Sequence, residues 1–164
     1  MDRWMAQHGR GRVGRDDQGF SVTEMLTVLA IAALIITFAG PAFTESYRAY
    51  KVRSSTLELS DTIRAVRQVA VTSRTASSLT IDTAAGSYSW TDIKGQARSA
   101  GLAPGVQFIS ANPATITFVT NGTVSTGTAT IVLQNTINAQ TADRWTLDLN
   151  TVGKITTTKT SVAP

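Results

Sequence analysis

"GFSVTEMLTVLAIAALIITFAGPAF", residues 19–43, decides how the rest of this chain is read. It is a run of Leu, Ile, Val, Ala, Met and Phe long enough to span a bilayer, whose hydrocarbon core takes about 20 helical residues. One residue is out of keeping. Glu24 places a carboxylate near the start of the stretch, and a charge in mid-bilayer costs about 2–4 kcal/mol even on the lenient insertion scale. It needs a partner or a task; the plain alternative is a side chain that snorkels to the headgroups from the first turn.

Residues 1–18, upstream of this run, are polar and have neither helical nor strand period; Gly and Arg alternate in "GRGRVGR" (9–15). A secretory signal would place a small-residue cleavage site after the apolar stretch. None follows Phe43, so residues 1–19 are predicted to be a cytoplasmic leader. Arg3, Arg10, Arg12 and Arg15 precede the run while Arg48, Lys51 and Arg53 follow it. The positive-inside rule therefore does not orient the segment.

Downstream, Gly40-Pro41 predicts a bend, because Pro41 lacks a donor and frees the carbonyl of Thr37. The alternative is that the helix ends at Gly40. Beyond it, Val52, Leu59, Ile63, Val66 and Ala70 share one helical face. The spacing predicts one helix from about Phe20 to about Thr72, roughly 80 Å long. Residues 20–43 form its membrane and assembly half and residues 44–76 its amphipathic continuation. "TSRTASS" (72–78) ends it.

Residues 77–164 read as a β domain. Strand-like runs are "SLTID" (78–82), "SYSWTD" (87–92), "GVQFIS" (105–110), "ATITFVT" (114–120), "GTATIVLQN" (127–135), "RWTLDLN" (144–150) and "KITTT" (154–158). Asn121-Gly122 marks a tight turn before the fifth run. In "RWTLDLN", Trp145, Leu147 and Leu149 alternate with Thr146 and Asp148, so they share one face. The expected fold class is α+β: a long N-terminal helix packed on a small antiparallel β-sheet domain.

Composition excludes several functions. The 164 residues contain no Cys, so no disulfide or thiolate metal site exists. The one histidine, His8, lies in the N-terminal segment, which leaves the folded part without a base for Ser-His-Asp chemistry. No spacing marks a carboxylate pair, and Asp143 and Asp148 are too few and too separated for a calcium loop. The chain is predicted to be no enzyme and to take no cofactor and no metal. A net charge of +4 does not by itself announce a nucleic-acid binder.

Gly19, Phe20 and Glu24 at the head of a long apolar helix, followed by a small β domain, resemble the type IV pilin-like superfamily. The resemblance implies that a prepilin peptidase cuts between Gly19 and Phe20 on the cytoplasmic side, and that Phe20 becomes the N-methylated terminus. It implies further that the leader is cytoplasmic and the β domain periplasmic, on a single-pass inner-membrane subunit surrounded by lipid. Pro41 matches the family's helix proline. Asp16 and Asp17 depart from the pattern, since a basic residue commonly precedes the glycine. Cleavage would create an amine at Phe20, and an ammonium and a carboxylate in lipid neutralise each other. Glu24 then acts in assembly, setting axial register within one chain or with its neighbour.

The C-terminal half, through Phe118, Asn121, Gly122, Trp145, Leu147, Gly153 and Ile155, looks like the GspH/FimT branch of minor pilins and minor pseudopilins. That branch implies a subunit that starts assembly of a type IV pilus or a type II secretion pseudopilus, at or near its tip. Its partners would be other minor and major pilins or pseudopilins, contacted through the N-terminal helix. Two other readings stand beside this one: a receptor for DNA during uptake, and a bitopic membrane protein whose β domain binds a ligand.

Arg53, Arg64, Arg67 and Arg74 bear on the DNA reading, because they lie within about 80° of one another around the helix. They form either a track for phosphates or a solvated flank paired locally, as Asp61 with Arg64; the flank is favoured. The tail "KITTTKTSVAP" carries Lys154 and Lys159 and no arginine, which disfavours nucleic acid as a partner. Tyr88 and Trp90 are read as sheet-packing residues.

Overall fold

A computed structural model describes residues 20–136 and 142–162. The chain divides into an N-terminal unit ending at Ala39 and a second unit beginning at Gly40. Helix α1, Val22–Ser73, supplies the described part of the first and opens the second. Ser21 starts it: its Oγ accepts the Thr23 backbone N–H at 3.2 Å, satisfying one of the donors a helix start leaves open.

At the other end, Arg74 sits at φ 53° in the left-handed region, one residue past the helix. Helices commonly stop on such a residue, though usually a glycine. Ser73 Oγ donates back to the Val69 carbonyl at 2.7 Å, one turn earlier. The helix runs without interruption through Gly40 and Pro41, so it does not end there. The Thr37 hydroxyl donates back to the Ala33 carbonyl at 2.8 Å and does not serve its own freed carbonyl. No single straight helix is long and apolar enough to cross a membrane, but Val22–Phe38 and Phe43–Ser73 meet the requirement as a pair.

Among the described residues of the first unit, every large apolar side chain is exposed. Phe20, Val22, Leu29, Ile36 and Phe38 are all exposed, with Phe38 at 77%. No described residue of the unit covers them.

Eight strands follow: β1 Ser77–Asp82, β2 Ser87–Thr91, β3 Ala97–Gly101, β4 Val106–Asn112, β5 Thr115–Phe118, β6 Ala129–Thr136, β7 Ala142–Leu149 and β8 Ile155–Val162. They form two antiparallel sheets where one was expected, ordered β3-β2-β1-β5 and β4-β6-β7-β8. The Asn121-Gly122 turn therefore does not lead β5 into β6 as a hairpin. Val124 bridges back to Phe118, and β6 joins the other sheet between β4 and β7. β3 is an addition to the expected strands. Its sequence, "ARSAG", has no apolar alternation because it is a mostly exposed edge paired only with β2.

The five apolar helix positions read from the sequence are buried to 0–1% exposure: Val52, Leu59, Ile63, Val66 and Ala70. They join one hydrophobic cluster with Leu79, Ile116 and Phe118 of the first sheet and Ile131, Leu133 and Leu147 of the second. Fully burying such a side chain contributes about 1.5–3 kcal/mol, so the helix is the common wall against which both thin sheets are stabilised. In β7, Leu147 and Leu149 are buried and Asp148 is exposed, as the alternation predicts.

Polar links fix where the helix lies. Ser55 Oγ accepts the Ala103 N–H at 3.2 Å, and buried Asn135 donates its amide to the Arg48 carbonyl at 3.0 Å. Tyr88 is buried and stacks on half-buried Trp90 with ring centroids 5.7 Å apart, in keeping with a packing role.

Candidate functional site

The head of α1 carries the residues singled out from the sequence. Gly19 lies outside the described residues. Phe20 is 75% exposed and directly precedes the Ser21 cap. Glu24 is in the first helical turn and exposed. Ser21 and Glu24 stand three apart, the spacing of a capping box. The box is not made: the Ser21 oxygen takes the Thr23 N–H and not that of Glu24, and no described residue bonds to the Glu24 carboxylate. A carboxylate here also favours the positive end of the helix dipole. The sequence reasoning missed the Ser21 cap, although a serine directly ahead of an apolar helical run is a readable signal.

The four arginines of the stripe have four different environments. Arg64 pairs with Asp61 at 2.7 Å, both exposed, as the locally paired reading expects. Arg74 forms the left-handed residue after the helix. Arg53 lies in a groove with Tyr50, Leu57, Trp145 and Lys159 and has no anionic partner among the described residues. Arg67 turns toward the β domain: Nε donates to the Gly122 carbonyl at 2.9 Å and Nη2 to the Val152 carbonyl at 3.2 Å. One guanidinium thus ties the turn after β5 and the β7–β8 turn to the helix. A planar fork with several donors suits this two-carbonyl contact better than a lysine ammonium. The stripe is not a uniform row of free cations, and nothing in it favours a DNA track.

Gly122 and Gly153 explain why both turns need glycine. Their φ angles are 79° and 78°, where a Cβ is strained. A Cβ on Gly153 would also lie 2.8 Å from Arg67 Nε, and one on Gly122 3.1 Å from it.

The turn between β2 and β3 is built on Asp92. Its Oδ1 accepts the N–H groups of Lys94 and Gln96, each at 2.9 Å, and its Oδ2 accepts Arg98 Nε at 3.0 Å. These bonds, the Gln96 amide foremost, hold the carboxyl below its ordinary pKa. Burial pushes the Tyr88 phenol above 10.0; a hydrogen bond with Thr62 opposes this and the Glu58 charge adds to it. Asp143, buried at the start of β7, pairs with Lys159 at 2.9 Å, and Ser161 Oγ donates to its other oxygen at a long 3.4 Å. Among the described residues no group of three or more His, Asp or Glu could hold a metal.

The helix and its two antiparallel sheets superpose on a solved pilus subunit. The type IV minor pilin FimU of Pseudomonas aeruginosa superposes with a TM-score of 0.51 at 19% identity, over 66% of this chain and 88% of that one. The chain has a minor-pilin fold. The minor pseudopilin EpsH of the Vibrio cholerae type 2 secretion system aligns with a TM-score of 0.49 at 12% identity, over 70% of this chain and 98% of that one. No family model and no curated protein matches the sequence. Within the minor-pilin fold, the glycines of the likeness to the GspH/FimT branch, Gly122 and Gly153, are the two that receive Arg67.

Proposed function

We propose that this chain is a minor pilin or minor pseudopilin, a structural subunit that helps initiate a type IV pilus or type II secretion pseudopilus and sits at or near its tip. The observation that carries this reading is a minor-pilin fold whose helix has an exposed apolar head preceded by Gly19-Phe20. An uncovered stretch of Leu, Ile, Val and Phe needs lipid before assembly and neighbouring helices after it.

In this reading prepilin peptidase removes residues 1–19 and methylates Phe20. The subunit waits in the inner membrane with its β domain outside, and the Phe20 ammonium meets a Glu24 carboxylate as it joins other pilins or pseudopilins. Pro41 bends the helix so that the exposed head enters the bundle.

The test is cellular. Cells lacking this chain should make fewer filaments or secrete less, and the wild-type gene should restore them. A Glu24→Val gene should give cleaved, membrane-inserted protein that does not restore them. Full restoration by Glu24→Val would remove Glu24 from assembly; unchanged filaments and secretion without the chain would remove the function itself.

A further inference from the structure

Just past the apolar run, α1 is ringed by cations and aromatic side chains. Tyr47 and Tyr50 are 52% and 64% exposed, and Arg48, Lys51 and Arg53 alternate with them. Arg48 lies five residues beyond Phe43, about 7.5 Å further along the helix. Tyrosines with lysines and arginines at this height are the chemistry of a membrane–water interface. Against this ring, Arg48 and Lys51 face Pro104, Gly105, Gln107, Gln134 and Asn135 across a polar pocket of about 370 Å³. Among the described residues no carboxylate lines it.

Among the described residues the Lys51 ammonium has neutral partners only: the Pro104 carbonyl at a long 3.4 Å, and the Tyr47 ring with its centroid 4.7 Å away. Both are weak, so the cation is oriented and not neutralised. The Arg144 guanidinium, on the adjoining strand, is likewise held by the neutral Gln134 Oε1 at 2.9 and 3.2 Å. Asp143, the acidic residue beside it, already carries its ion pair with Lys159.

We propose that this pocket seats the phosphodiester of an anionic lipid headgroup, with Lys51 as its principal cation and the Gln107 and Gln134 amides as neutral donors. The proposal rests on the reading that residues 20–43 lie in a bilayer. It goes beyond that reading in assigning the base of the β domain a lipid contact of its own, which anchors the subunit before assembly. Phosphate as a free ion offers the same chemistry without the membrane, so the test separates the two.

The full-length chain in neutral detergent micelles is titrated with short-chain phosphatidylglycerol, with short-chain phosphatidylcholine, and with inorganic phosphate. Backbone amide resonances of Gly105, Gln107 and Gln134 report on the pocket. Phosphatidylglycerol is expected to shift them saturably, with phosphatidylcholine and phosphate much weaker. Lys51→Gln should weaken the apparent affinity about fivefold, the contribution of one cation near an anionic surface. Lys94→Gln, in the β2–β3 turn, should leave it unchanged. Absent shifts with phosphatidylglycerol, equal shifts with phosphatidylcholine, or Lys51→Gln binding like wild type would each overturn the proposal. Equally strong saturation by phosphate alone would overturn the lipid as its source. A chain that fails to enter micelles or bilayers at all would instead bring down the membrane reading on which the proposal rests.

Discussion

Arg67 and Gly153 are 86 residues apart in the chain, yet a Cβ on Gly153 would fall 2.8 Å from the Arg67 Nε. The glycine is there because a guanidinium passes over it on the way to the Val152 carbonyl. The same side chain reaches the Gly122 carbonyl, so a helix residue fastens one turn from each sheet.

Arg67→Ala is therefore expected to lower domain stability by about 1–2 kcal/mol, below what two buried charged bonds would give because the side chain is largely exposed. Gly153→Ala should cost a similar amount, combining left-handed strain with displacement of the guanidinium. Because both act on one contact, the double variant should lose less than the sum in a denaturation cycle. Strict additivity would show that Gly153 and Arg67 act independently.

Ile63 is 1% exposed in the helix face that both sheets share. Ile63→Asp leaves an unpaired carboxylate in a thin core and is expected to cost 4 kcal/mol or more, about enough to unfold the domain. Leu57, one or two turns away and 52% exposed, is the control: Leu57→Asp should stay within about 0.5 kcal/mol. Thermal melts that ranked the two alike would mean the helix does not pack as described.

Mature protein recovered from cells containing prepilin peptidase should begin at Phe20 and carry an added methyl group. Intact-mass and N-terminal sequencing read this directly. A retained leader, or a terminus beyond Pro41, would contradict the processing step proposed above.

Tyr88 supplies a dependence on alkaline pH. Its folded pKa is raised mainly by burial, so the folded state holds the phenol proton more tightly than the unfolded chain does. Stability from this group is complete below the unfolded value of about 10 and is lost as pH rises through the folded value. Chemical denaturation at pH 8 to 11 should show the decline, and Tyr88→Phe should flatten it. An equally steep decline in Tyr88→Phe would place its origin elsewhere.

Local pattern was enough for the parts of this protein whose physics is local. A hydrophobic run, the five-residue apolar stripe from Val52 to Ala70 and the alternation in β7 follow from periods of 3.6 and 2, and they located the helix, its buried face and most strands. The Gly19-Phe20-to-Glu24 spacing also lies in one short stretch, and it carries the processing step proposed above. What pattern could not decide was which strands pair. One sheet and two sheets bury the same alternating side chains, and β3, an edge facing water, has no alternation to read. Nor could it tell Arg67 from Arg64: both are arginines on one helical flank, and only chain closure brings Gly122 and Val152 within hydrogen-bond reach of the first while leaving the second to Asp61. Contacts between residues 55 and 85 positions apart carry no sequence period, so tertiary structure alone assigned them.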